Sequence, residues 1–279
     1  MAADPPATRP PEGYVLEVED TFGGDVLDRD LWLPCYLPHW SSRAAAAARY
    51  RLDGGQLRLR VEEDQPPWCP EFDDGVRVSS LQTGLYAGPL GSPRGQHRFT
   101  PSAVVREEQH NVRLYTPRYG FFEIRARVSD DPATMAALWM IGYEDEPERS
   151  AEICVFEIFG RDVGAGGTAV GMGLHPFGDP ALVEEFAAES LPIDAREFHV
   201  YAVEWTPDAV VLLVDGEPVK LVWQSPAYPM QFMLDVYAFP AADGAPPPGP
   251  WPKELVVDWF RGYRRADDPA RNDHPGPAH

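Results

Sequence analysis

The strongest constraint on this chain is a succession of short alternating apolar segments, separated by turn residues, with almost no helical period between them. ARYRLDGGQLRLRVEED (48–64) reads as a hairpin: Leu57, Leu59 and Val61 share one face, Arg58 and Arg60 the other, and Asp53-Gly54-Gly55 supplies the turn. YGFFEIRARVSDD (119–131) alternates again, with Phe122, Ile124, Ala126 and Val128 inward and Glu123, Arg125 and Arg127 outward. HVYAVEWTPDAVVLLVDGEPVKLV (199–222) holds three strands, broken at Thr206-Pro207-Asp208 and at Asp215-Gly216. QFMLDVYAF (231–239) and ELVVDWFRGY (254–263) add two more. The helix candidates are the alanine run at 44–48 and PALVEEFAAESL at 180–191. Strands without intervening helices form antiparallel sheets, so an all-β, two-sheet antiparallel sandwich is expected. The 31 prolines and 24 glycines suit a chain of many turns. No composition shift marks a second domain. One domain is expected over 13–264, between a proline- and alanine-rich tail at 1–12 and a polar tail at 265–279.

Charge narrows the partners. A formal net charge of -20 repels phosphate backbones and anionic polymers, which argues against nucleic acid and polyanionic sugars. No run of eighteen apolar residues is present, so a membrane-spanning helix is not expected. The start, MAADPPATRPPEG, has neither a basic n-region nor an apolar h-region. A cytoplasmic monomer is therefore expected, or a secreted one if a leader has been removed. Cys35, Cys69 and Cys154 have no metal-ligand spacing and read as reduced thiols; a Cys35–Cys69 disulfide would require export.

One segment breaks the pattern. SAEICVFEIFG (150–160) places Glu152 and Glu157 on either side of Cys154 in an otherwise apolar run. In a flat strand Glu152 and Cys154 share a face and Glu157 points to the other, which would make Glu157 a surface acid and Glu152 an arginine partner. A β-bulge at Val155-Phe156 resets the parity and brings all three to one face. The outer Cα atoms would then lie about 13 Å apart at roughly 3.3 Å per residue. Side chains leaning together would bring the carboxyl groups to about 5 to 6 Å, the separation of a retaining glycosidase pair.

With the bulge, EICVFE resembles the E-x-D-x-x-E signature of glycoside hydrolase family 16, with Cys154 in place of the aspartate. EVEDTFGGDVLDRDLW, DGGQLRLR, YGFFEIRARV, ALWMIG, FHVYAVEWTPDAVVLLVDGEPV and VVDWFRGY also resemble family segments and follow the family's order, over roughly residues 14–264. The resemblance implies a jelly roll of the concanavalin A-like kind, with Glu152 as nucleophile and Glu157 as acid/base. It implies a retaining endo-type β-glycosidase acting on a neutral β-linked glycan, β-1,3-glucan first and β-galactans next. No cofactor is required for that chemistry.

Cys154 puts the activity in question. A thiol is a weak donor with a reference pKa of about 8.5, and two neighbouring carboxylates push it higher. It can offer Glu152 one feeble hydrogen bond, and it removes one negative charge from the site. The alternative is thus a catalytically impaired carbohydrate-binding protein on the same fold. The resemblance further implies that Trp139 stacks on sugar and that His175 lies on the cleft. Phe121 and Asp235 fall at substrate positions where the family commonly has arginine and asparagine, and Trp205 is a further subsite candidate. Trp40 and Trp68, in loop-like surroundings, are candidates for a cleft rim. Asp258 resembles a ligand of a structural calcium ion on the convex side, although Thr21 stands where that site often has an acid.

Overall fold

The computed structural model describes residues 10–268. Its strands are β1 (Tyr14–Asp20), β2 (Arg49–Asp53), β3 (Gln56–Val61), β4 (Arg77–Gln82), β5 (Gly84–Leu85), β6 (Val112–Arg113), β7 (Gly120–Arg127), β8 (Thr134–Gly142) and β9 (Glu152–Phe159). They continue as β10 (Val163–Gly164), β11 (Gly167–His175), β12 (Ala187–Leu191), β13 (His199–Trp205), β14 (Val210–Val214), β15 (Glu217–Val222), β16 (Met230–Ala238) and β17 (Lys253–Arg265). An eight-stranded sheet runs β15-β14-β13-β7-β17-β3-β2, with β1 along β17. A seven-stranded sheet runs β10-β11-β9-β8-β16-β4, with β12 on β11. The chain is the expected all-β sandwich of two antiparallel sheets. The sandwich closes where β1 pairs with β17 (Tyr14 opposite Arg265), and most of both expected tails lies outside the described residues.

The two helix candidates do not form helices. Residues 44–48 turn back onto Ser42, whose carbonyl accepts from the Ala46 amide, and Ala47 bridges to Cys35. In 180–191 the last five residues pair with β11 as edge strand β12, from Ala187 opposite Met172 to Leu191 opposite Thr168. Helix propensity of a few tenths of a kcal/mol per residue yields there to an unsatisfied sheet edge. Among the described residues the helical turns are two short 3-10 turns, Pro38–Trp40 and Gly160–Asp162.

Alternation decides which faces meet. Leu57, Leu59 and Val61 of β3, Phe122, Ile124 and Ala126 of β7, and Tyr201, Val203 and Trp205 of β13 pack between the sheets. Leu138, Met140, Ile153, Phe156, Phe232 and Leu234 face them from the seven-stranded sheet. Each such large side chain contributes about 1.5–3 kcal/mol on burial.

This packing corrects two substrate expectations. Trp205 lies fully buried between the sheets, its Nε1 donating to Ser225 Oγ at 2.9 Å. Phe121 has the opposite parity to Phe122 and packs on the outer face of the eight-stranded sheet against Ala202 and Tyr263. Both belong to the sheet that does not carry Glu152, so neither can touch a substrate held there.

β16 is buried along its whole length. Its alternate residues Met233 and Tyr237 belong to a second apolar cluster with Tyr36, Leu37, Trp40, Trp68 and Trp139. Long connections therefore cover much of the outer face of the seven-stranded sheet. Trp40 and Trp68 are anchors of that cover, almost fully buried, and do not form an exposed rim.

Candidate active site

The register of β9 accounts for its two acids. On β8, Leu138 lies opposite Phe156 and the next residue, Trp139, opposite Cys154, so Val155 has no partner. On β11, Gly171 faces Glu157 and Gly173 faces Cys154, two steps against three. This is the bulge expected at Val155-Phe156, and both of those side chains enter the core beside Ile153 and Ile158. Glu152, Cys154 and Glu157 are left together on the opposite, outer face.

Cross-strand register then sets three rows over that face. Gln231, Ile141, Glu152 and His175 form one; Gln82, Met233, Trp139, Cys154 and Gly173 the next; Ser80, Asp235, Ala137, Glu157 and Gly171 the third. Glu157 thus stands between Ala137 and Gly171, which leave space around its carboxyl. A Cβ on Gly171 would meet the Phe186 ring at 2.6 Å, so glycine also lets Phe186 reach over the row.

Cys154 Sγ donates to Glu157 Oε1 at 3.4 Å. The thiol was expected to favour Glu152; the bulge turns Glu157 toward it instead. Burial, followed by the Glu157 and Glu152 carboxylates, pushes the thiol well above its ordinary range, so it is neutral. Burial also pushes Glu157 up, and the Glu152 charge adds to that, against opposing contributions from Cys154, His175 and His97. A carboxyl that holds its proton beyond the usual range is what a general acid requires.

Glu152 has a partner that sequence reasoning missed. His97 Nδ1 lies 2.8 Å from Glu152 Oε1, an ion pair between side chains that are 16% and 6% exposed. Burial pushes His97 down, but the Glu152, Glu144 and Asp235 carboxylates outweigh it, and the net shift is upward. The ring is held by neighbours: Trp139 and Phe177 meet it edge-on at 5.2 Å each, and its backbone amide donates to Glu144 Oε1 at 2.6 Å. Burial pushes Glu144 up to about 8. The loop bearing His97 is pinned through Gln96, whose carbonyl accepts from Trp40 Nε1 at 2.8 Å and whose Nε2 donates to Gln231 at 2.6 Å. Gly95 permits this approach, since a Cβ there would meet the His39 ring at 2.6 Å. A single histidine in GQHRF, distant in sequence from β9, offers no periodic or motif signal.

Trp139 and Asp235 meet as a pair. The indole Nε1 donates to Asp235 Oδ2 at 2.5 Å, and Tyr237 Oη donates to the same oxygen at 3.0 Å. Asp235 is fully buried, and burial pushes it up to about 7. It therefore orients Trp139 and does not itself reach a ligand, a correction to its expected substrate contact. Trp139 is only 4% exposed. His175 lies directly opposite Glu152, with its Nδ1 2.8 Å from Glu184 Oε1 and its ring stacked on Phe186 at 4.4 Å. Beside His97 lies a cavity of about 290 Å³, lined also by Glu144, Ser150 and Phe177.

The calcium expectation does not fit. Asp258 Oδ2 takes Arg125 Nη1 at 2.6 Å, and Gln56 Nε2 donates to Oδ1 at 3.5 Å. A guanidinium stands where a cation would need the carboxylate. Cys35, Cys69 and Cys154 are all free thiols, so the conditional Cys35–Cys69 disulfide is not formed.

Glycosyl hydrolases family 16 matches residues 114–261, more than half of the chain and the whole of β9. The chain belongs to that family. A β-glucanase from Rhodothermus marinus is 29% identical to this family 16 chain over 170 residues, 52% of this chain and 57% of that protein. The GlcNAcα1-4Gal-releasing endo-β-galactosidase from Clostridium perfringens superposes with a TM-score of 0.81 at 32% identity, covering 95% of this chain and 66% of that one. A laminarinase from Flavobacterium sp. UMI-01 superposes with a TM-score of 0.60 at 18% identity, over 90% of this chain and all of that one, a likeness of fold. The chain thus spans less than two thirds of the β-glucanase and of the endo-β-galactosidase.

Proposed function

We propose that this chain is a retaining endo-acting β-glycosidase that cuts a neutral β-linked glycan, with Glu152 as nucleophile and Glu157 as acid/base. The observation that carries this reading is the β9 bulge, which sets both carboxylates around one sulfur on the outer face of the sheet. Glu157, holding its proton, donates it to the glycosidic oxygen while Glu152 attacks the anomeric carbon and the leaving sugar departs. Glu157, now a carboxylate, takes a proton from water, which attacks the same carbon and releases Glu152. His97 is a positioning residue whose ring, when protonated, faces Glu152 with positive charge. Hydrolysis through two inversions retains the β configuration.

The endo-β-galactosidase likeness spans nearly the whole chain, and the β-glucanase likeness about half of it. A β-galactosidic linkage is therefore the first substrate in this reading and β-1,3-glucan the second, reversing the order expected from the motif alone. The test is incubation with β-galactans, β-1,3-glucan and mixed-linkage glucan, comparing wild type with Glu152→Ser, Glu157→Gln and Cys154→Asp. Cleavage by wild type that falls at least about 10³-fold in both glutamate variants supports the assignment. Undiminished cleavage by Glu152→Ser overturns it. Binding without cleavage in wild type, with turnover gained in Cys154→Asp, would establish the impaired sugar-binding alternative.

A further inference from the structure

Replacing an aspartate by Cys154 does more than weaken one hydrogen bond. It brings a sulfur ligand beside a nitrogen and an oxygen ligand. One atom each from Glu152, Cys154 and His175 lie within 4.8 Å of one another. Strand geometry causes this: Glu152 and His175 are directly opposed across β9 and β11, and Cys154 is the next residue on the same face of β9. Gly173, opposite Cys154, adds no side chain between them.

We propose that Glu152, Cys154 and His175 form a binding site for a thiophilic divalent cation of the zinc class, and that its occupation shuts off the nucleophile. The donor set is one thiolate, one imidazole and one carboxylate, all ligands that zinc takes in tetrahedral sites with a fourth position left to water. At bond lengths of about 2.0–2.3 Å such ligand atoms lie roughly 3.4–3.6 Å apart, so the three need close by about 1 Å. His175 is already prepared for this task. Its Nδ1 is engaged by Glu184 Oε1 at 2.8 Å, which leaves Nε2 as the ligating nitrogen, and Phe186 stacks on its ring at 4.4 Å. A carboxylate behind a histidine is the usual outer support of a metal-bound imidazole. The His175 side chain is 26% exposed and gives the cation a route from solvent. Coordination breaks the Sγ–H bond, which otherwise points at Glu157 Oε1 at 3.4 Å, and the proton leaves to water. Glu152, now bound to the cation, cannot attack a sugar.

The inhibition rests on the glycosidase reading, but the binding does not. The experiment is therefore spectroscopic first. The whole chain, stripped with chelator, is titrated with Co²⁺ and followed by the thiolate-to-cobalt absorption in the near ultraviolet, then by Zn²⁺ competition against a chromophoric chelator. One equivalent with a thiolate band is expected in wild type and in Cys69→Ser. Cys154→Ser should lose the band and His175→Gln should lose affinity, each by more than the 10–100-fold expected of the outer-shell variant Glu184→Gln. His175→Gln, at a partly exposed position, keeps the test decisive if Cys154→Ser does not fold. A missing band in wild type, or a band retained by folded Cys154→Ser, overturns the site. If glycoside cleavage is found, one equivalent of Zn²⁺ should abolish it and chelator restore it. Failure of that arm with the band present removes the inhibition and leaves the site standing.

Discussion

Replacing His97 by glutamine removes the charged partner that Glu152 has among the described residues while keeping a side-chain donor of similar reach. At 2.8 Å the attraction between the two unit charges is at most about 6 kcal/mol at an effective dielectric of 20. Desolvation of both groups offsets part of it, and stripping one member from a buried pair costs about 3–5 kcal/mol. Taking about 3 kcal/mol, with roughly 2–4 °C per kcal/mol for a domain near this size, His97→Gln should lower Tm by about 6–12 °C near pH 6. The sign with pH follows from the upward shift of His97 from 6.5. A group whose folded value is raised contributes fully below its unfolded value, and that contribution is lost as pH rises through the folded one. The Tm gap between wild type and variant should therefore narrow on going from pH 6 to pH 9. Scanning calorimetry at several pH values measures it. A gap that is absent or independent of pH would refute the reasoning.

Other consequences follow from neighbouring groups. Cys154→Asp adds a charge beside Glu157 and should move the basic limb of the pH–rate profile upward, whereas Cys154→Ser should leave that limb near wild type; initial rates across pH 4–9 separate the two. Burial raises Asp235 from 3.8 to about 7, so the unfolded chain releases this proton first and the carboxyl costs stability as pH rises from about 4 to about 7, the cost staying level above that. Asp235→Asn should thus gain Tm relative to wild type between pH 5 and pH 9, while Trp139→Phe, which strips the indole donor from that carboxyl, should cost about 1–3 kcal/mol in denaturant unfolding. Calcium at millimolar concentration, or its removal by chelator, should leave Tm unchanged because Asp258 is committed to Arg125.

The fold was legible because it is local. Strand alternation at Leu57, Leu59 and Val61, or at Phe122, Ile124 and Ala126, assigns each residue a face, and turn residues break the segments where the hairpins turn. The bulge at Val155-Phe156 was legible for a related reason, since two adjacent apolar residues between acids can both be buried only if parity slips. Residues 180–191 misled because alanine, glutamate and leucine favour a helix locally, whereas an open edge on β11 decided the outcome. Phe121 and Trp205 misled because the resemblance that suggested them lines up positions in sequence but does not say which sheet face they occupy. His97 was invisible for the opposite reason: a loop with no period, clamped by Trp40, Gln96 and Gln231, delivers it across long sequence distances. The change of the thiol's partner from Glu152 to Glu157 depends on side-chain direction past the bulge, which spacing alone does not give.

The assignment of Glu152 as nucleophile and Glu157 as acid/base is open to direct chemical capture. The most direct measurement is to treat the protein with a 2-fluoro glycoside that slows the second step, digest it, and locate the trapped sugar by mass spectrometry within SAEICVFEIFG. A single glycosyl ester on Glu152 is expected, absent from Glu152→Ser, with the first hydrolysis product of the natural glycan in the β configuration. An adduct on Glu157 or on Cys154, or a first product of inverted configuration, would contradict it.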